Sequence, residues 1–159
     1  MEYENLINRF QKLPRAGESV SANVRRNSLK TMVIKKYKNT KNAESEFKFH
    51  IHVFALPGAS RYVVKPLYQR NSYFIQKYQP NMLGTLDVFI NKMKHTKSMT
   101  YNKSVAIFND ILKQIQNIVR FFKKHKISHN DLHLGNFIVY KNNGKLKVKV
   151  IDFGKSTFT

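Results

Sequence analysis

Residues 127–153 read I-S-H-N-D-L-H-L-G-N-F-I-V-Y-K-N-N-G-K-L-K-V-K-V-I-D-F, and Gly154 follows. The stretch holds His129, then Asp131 two residues on, then Asn136 five residues after the aspartate, and it closes on Asp152-Phe153-Gly154. An aspartate can orient a hydroxyl and accept its proton. A second carboxylate and an amide carbonyl are hard oxygen donors of the kind that hold Mg²⁺. Asp131 and Asp152 are two of only nine acidic residues, set against 29 Lys plus Arg. Acids kept in so basic a chain are candidates for a task. The pattern H-x-D-x-x-x-x-N followed by D-F-G arises by chance in roughly one chain of this composition in ten thousand or fewer.

That order resembles the catalytic loop and metal-binding triplet of the protein-kinase-like superfamily. The resemblance implies ATP and Mg²⁺ as cofactors, Asp131 as the base for an attacking hydroxyl, and Asn136 and Asp152 as metal ligands. His129 joins the catalytic set as the residue that shapes the loop. Two positions depart from the pattern. Asn130 replaces the arginine that many protein kinases pair with a phosphorylated activation loop, so that mode of switching is not expected. His133 stands where Ser/Thr kinases carry a lysine on the γ-phosphate, a feature that resembles atypical and small-molecule kinases. The interval from Asp131 to Asp152 is a few residues longer than usual, and Asn142-Asn143-Gly144 is expected to absorb it as a longer turn. His125, His129 and His133 fall at four-residue steps, but zinc binding would need one continuous helix through residues 131–135, and none is expected there.

The elements that must position these residues come earlier in the chain. Gly17-x-Ser19-x-x-Ala22-x-Val24 has the spacing of the kinase glycine-rich loop, with Ser and Ala for its second and third glycines; small side chains preserve part of the backbone's access to phosphates. Residues 29–37 form a β-branched run ending in lysines that resembles the strand carrying the kinase phosphate-binding lysine. Lys35 takes that role, and Lys36 is its neighbour and competitor. A short hairpin is expected around Asn27-Ser28. Over residues 39–57, Phe47, Phe49, Ile51 and Val53 alternate as in a half-buried strand, whereas the resemblance implies a short helix with a glutamate for Lys35. The helix is favoured, with Glu46 ahead of Glu44. His50-x-His52 reads as an ordinary pair. Strands are expected over 61–69 and 72–78, joined at Arg70-Asn71, with the resemblance implying an adenine-reading hinge from Gln76 to Tyr78. Pro80, Asn81 and Gly84 mark the lobe boundary. Residues 92–100 read as loop, and 101–126 as the clearest helix, with Val105, Phe108, Ile111, Leu112, Ile115, Ile118, Val119 and Phe122 on one apolar face.

Global properties bound the reading. A chain of 159 residues can bury about 70% of its unfolded surface. The absence of cysteine excludes disulfides and thiolate metal sites, and no apolar run approaches a bilayer span, so a soluble, intracellular protein without membrane contact is expected. A net charge of +20 would draw polyanions non-specifically. The expected fold is α+β and two-lobed: residues 1–79 form a small, mostly antiparallel β upper lobe, and residues 80–159 a truncated, mostly helical lower lobe ending soon after Gly154. The expected function is an ATP- and Mg²⁺-dependent phosphotransferase, a Ser/Thr protein kinase-like enzyme whose acceptor is a hydroxyl, most readily on a protein. A protein partner could complete the lower lobe. Compact kinases with this Lys/Asn bias and loops of the H-N-D-L-H-x-x-N kind resemble those of large DNA viruses. A non-catalytic kinase mimic and a basic nucleic-acid- or virion-associated protein are the alternatives.

Overall fold

The computed structural model describes residues 2–18 and 22–159. The chain is mixed α+β with antiparallel sheets, and it divides into two compact units, Met1–Pro80 and Asn81–Thr159.

The first unit begins with helix α1 (Glu2–Asn8) and a 3-10 turn at Phe10–Lys12, followed by strands β1 (Arg15–Glu18), β2 (Ala22–Arg26) and β3 (Met32–Tyr37). Helix α2 (Thr40–Phe54) then precedes β4 (Pro66–Arg70) and β5 (Tyr73–Lys77). The strands form one antiparallel sheet in the order β1-β2-β3-β5-β4. Asn27 closes the β2–β3 turn: its Oδ1 accepts from the N–H groups of Thr31 (2.8 Å) and Met32 (2.9 Å), and its Nδ2 donates to Thr31 Oγ1 (2.6 Å). The period of two then sorts the side chains. Met32, Ile34 and Ile75 pack with Phe10 and Leu13, with Tyr3, Leu6 and Ile7 of α1 laid over them. Ala22, Tyr37 and Phe74 pack on the opposite face with Ala43 and Phe47 of α2. Both faces of the sheet are therefore covered.

Helix α2 settles the conflict over residues 47–53. Asn39 caps it by accepting from Asn42 N–H at 2.9 Å. Its buried residues are Ala43, Glu46, His50 and Val53, a helical stripe that includes two polar side chains, while Ile51 lies 45% exposed. The apparent alternation arose because the buried face is not the most apolar one. The helix has 15 residues, longer than expected. The strand expected from residue 61 begins only at Pro66, because residues 59–61 form a 3-10 turn.

The second unit holds β6 (Met82–Thr85), α3 (Leu86–Lys94), α4 (Tyr101–Lys124), β7 (Ile127–Ser128), a 3-10 turn at Leu134–Asn136, β8 (Phe137–Asn142), β9 (Lys145–Val150) and β10 (Thr157–Phe158). The sheet order is β6-β8-β9, and β7 pairs with β10. The two helices together are longer than the five strands of this unit. Helix α3 continues to Lys94, into the stretch read as loop. The β8–β9 connection is a tight two-residue turn, with Asn143 at φ 51° and Gly144 at φ 75°. The extra length lies in two six-residue strands, not in a longer turn. Helix α4 packs on β9, where Gln114 Nε2 donates to the Leu146 carbonyl (2.9 Å) and Gln114 Oε1 accepts from Val148 N–H (3.0 Å). One amide thereby satisfies two groups on an edge strand. The apolar stripe of α4 is only partly covered: Ile111 and Ile118 are buried, whereas Leu112 and Val119 are 54% and 44% exposed.

His50 gives the first unit a pH dependence. Its ring is 1% exposed, donates from Nε2 to the Val64 carbonyl at 2.8 Å, and meets Phe74 edge to face. Burial, helped by the charge of Lys35, pushes its pKa down from 6.5 to about 3. The unfolded chain therefore takes up a proton below its own pKa that the folded chain refuses until about pH 3, so stability is lost as the pH falls through this window. Burial holds the pKa of His129 down as well, which adds in the same direction. Urea unfolding should show a loss of about 2 kcal/mol attributable to His50 between about pH 7.5 and pH 5. His50→Gln should flatten the profile by that amount, and an unchanged profile would contradict the assignment.

Candidate functional site

In the second unit, the hairpin register does the positioning. Phe137 pairs with Val150 at the open end of β8–β9. One step further out, Asn136 accepts from Ile151 N–H through its backbone carbonyl at 2.8 Å. Two residues fifteen apart in sequence are thus hydrogen-bonded neighbours, and Asp152 comes next. The Ile151 carbonyl is held in turn by His129 Nε2–H at 3.1 Å. Phe153 is 1% exposed, packed edge to face on Phe122 and tilted on His129. Asp152 adopts φ 65° between these two anchored residues, a left-handed conformation that Asp tolerates better than most side chains. Its Oδ1 accepts from Gly154 N–H at 3.1 Å.

Asp131 lies in the same group. Asn136 Nδ2 donates to the Asp131 carbonyl at 2.9 Å and to Asp131 Oδ2 at 3.3 Å. A carbonyl can only accept, so the amide nitrogen must face Asp131, and Asn136 Oδ1 is left as an oxygen donor. The Lys155 ammonium stands 3.0 Å from Asp131 Oδ1 and holds the carboxyl below the usual carboxylate range, against a small opposing effect of burial. Asp131 is therefore an anion at neutral pH, the state a base requires. His133 Nε2 lies 3.9 Å from Asp131 Oδ2, too far for a hydrogen bond, while its Nδ1 accepts from Gly135 N–H at 3.1 Å. His129 is 3% exposed. It acts through Ile151 as a positioning residue instead of reaching a ligand.

Among the described residues, no three His, Cys, Asp or Glu side chains gather as a metal site. Asn136 Oδ1 and the Asp152 carboxylate are hard oxygens of the kind Mg²⁺ takes, an ion that uses one or two protein oxygens and completes its shell with water and phosphate.

The first unit gathers the other candidates on one sheet face. Lys35 Nζ meets Glu46 Oε1 at 2.8 Å, with the two side chains 8% and 1% exposed. Helical phase separates the two glutamates, since Glu46 shares the buried stripe with Ala43 and His50 while Glu44 is exposed. Lys36 points to the other face, over the Tyr73 ring. Val24 pairs with both Gly17 and Lys35, and Val33 pairs with Gln76, so Ala22, Val24, Lys35 and Gln76 share one face. Ser19 lies outside the described residues. Gln76 is 5% exposed, and its Oε1 is buried with no hydrogen-bond partner among the described residues. The N–H groups of Lys77 and Tyr78 already donate to the carbonyls of Lys65 and Thr31, both at 2.8 Å. Reading of a base at 76–78 would therefore fall to carbonyl groups and to the Gln76 amide, not to backbone donors. Sequence reasoning missed Lys155 and the fastening of residues 155–159 to the loop, because no periodicity or motif marks either one. No protein-family model matches the chain.

Breaking a buried pair leaves one charge stranded, which costs about 3–5 kcal/mol, whereas replacing both partners by apolar groups is often neutral. Glu46→Ala should lower urea stability by about 3 kcal/mol or more, and the Lys35→Met/Glu46→Leu double variant should recover most of the loss. A double variant as unstable as Glu46→Ala would contradict this account of the pair.

Proposed function

We propose that the chain is an ATP- and Mg²⁺-dependent phosphotransferase of the protein-kinase-like kind, its two compact units corresponding to the two lobes of that fold. The observation that carries the reading is that Asn136 is hydrogen-bonded through its amide to Asp131 and through its carbonyl to the N–H of Ile151, the residue before Asp152. It supports Asp131 as the base, with Asn136 and Asp152 as the metal ligands. Mg²⁺ would supply charge neutralisation at the phosphates, with Asn136 and Asp152 as its protein ligands. Lys35, paired with Glu46, is the first unit's candidate for a phosphate-binding cation. Asp131 accepts the proton of the acceptor hydroxyl as its oxygen bonds to the γ-phosphorus, and the bond from that phosphorus to the β,γ-bridging oxygen breaks to release ADP. A hydroxyl on a protein is the preferred acceptor class.

A second reading, a non-catalytic mimic that binds a protein, is favoured by the uncovered stripe of α4. Val105, Phe108, Leu112 and Val119 are all exposed, beside a groove of about 400 Å³ lined by Val119, Phe122 and Leu132. The presence of Asp131, Asn136 and Asp152 together weighs against it, since a mimic needs none of them.

Thermal unfolding with ATP, with and without Mg²⁺, separates the two. At a hundredfold excess over its dissociation constant, nucleotide should stabilise the fold by about 2.7 kcal/mol. The gain should require Mg²⁺ and vanish in Asp152→Ala. Equal responses of wild type and Asp152→Ala, or none from either, would reject the phosphotransferase and favour the mimic.

A further inference from the structure

We propose that Lys155 is the γ-phosphate-binding cation of this site, an inference that rests on the phosphotransferase reading above. Its ammonium lies 3.0 Å from Asp131 Oδ1. Any hydroxyl that Asp131 receives must attack phosphorus from about 3–3.5 Å. A cation in contact with the base therefore lies within reach of the phosphoryl oxygens as well.

The local structure holds that cation in place. Asn130, at φ 64°, donates from Nδ2 to the Lys155 carbonyl (3.0 Å) and to Thr157 Oγ1 (3.1 Å). Ser156 Oγ donates to the His129 carbonyl at 3.1 Å. Thr157 and Phe158 pair with Ser128 and Ile127, and Thr159 N–H donates to the Lys126 carbonyl at 2.8 Å. The backbone carrying Lys155 is thus fastened along the loop that carries Asp131, while the lysine side chain itself is 68% exposed and can swing from carboxylate to phosphate. Such an exposed ion pair adds little to stability, so this much anchoring serves placement of the charge. His133 is the only other cationic candidate in contact range of Asp131 among the described residues, and its Nδ1 is spent accepting from Gly135 N–H.

The test is calorimetric titration of ATP·Mg²⁺ and of ADP·Mg²⁺ into wild type, Lys155→Met and Lys155→Arg, with ligand-free thermal unfolding of each as the check on folding. Wild type should prefer ATP at least about fivefold, as a charge-assisted contact to the extra phosphate requires. Lys155→Met should lose that preference through weaker ATP binding alone, with ADP affinity kept within about twofold, and Lys155→Arg should retain it. A wild type without preference, a Lys155→Met variant that keeps it or binds ATP more tightly, or equal loss of both nucleotides would overturn the inference and leave the phosphotransferase standing. A wild type that binds neither nucleotide would overturn both.

Discussion

The two hydrogen bonds to the backbone of Ile151 are the constraint on which the candidate site depends. Its N–H is taken by the Asn136 carbonyl and its carbonyl by His129 Nε2. With Phe153 locked into the core on the far side, the chain between them has little choice but the left-handed turn that presents Asp152. The same hydrogen bond fixes Asn136, whose amide then fixes Asp131. One hairpin register therefore brings together the backbone segments that carry three candidate residues spread over 22 positions.

Polar residues carry much of the specificity inside an otherwise apolar frame. Lys35, Glu46 and His50 are buried on the α2 side of the first sheet, where aliphatic residues would give more stability for less desolvation. In the second unit, Gln114 seals the edge of β9 and His129 ties the loop to Ile151. Groups of this kind accept few alternative partners. They set helix phase and strand register more strictly than packing alone can, and a site that must hold oxygens within a fraction of an ångström needs that strictness.

Much of this was legible in the sequence, for identifiable reasons. The β8–β9 hairpin declared itself through Asn143-Gly144 and the alternation of Lys with Leu and Val in β9, and α4 through its long three- and four-residue periodicity. The triad of Asp131, Asn136 and Asp152 was visible because acids are scarce in so basic a chain. Helix α2 was ambiguous because its buried face includes Glu46 and His50, which a hydrophobic pattern counts as exposed. Strand β6 is four residues with a central glycine, too short to carry a period. Lys155 was hidden for the opposite reason to Asp131: in a chain this rich in lysine, only a contact in three dimensions distinguishes one from another.

In the proposed phosphotransferase, Asn136 and Asp152 hold a divalent cation that arrives with ATP. Replacing Mg²⁺ by Mn²⁺ makes the claim visible, because the paramagnetic ion broadens amide resonances around it. In a ¹⁵N-labelled sample titrated with substoichiometric Mn²⁺·ATP, the amides of Asp131, Asn136, Asp152 and Gly154 should broaden first and together, and should recover when excess Mg²⁺·ATP is added. Broadening that instead spreads over the exposed basic residues of β9 and α4, with those four amides unchanged, would contradict the account and leave the chain as a polyanion binder on an α+β frame.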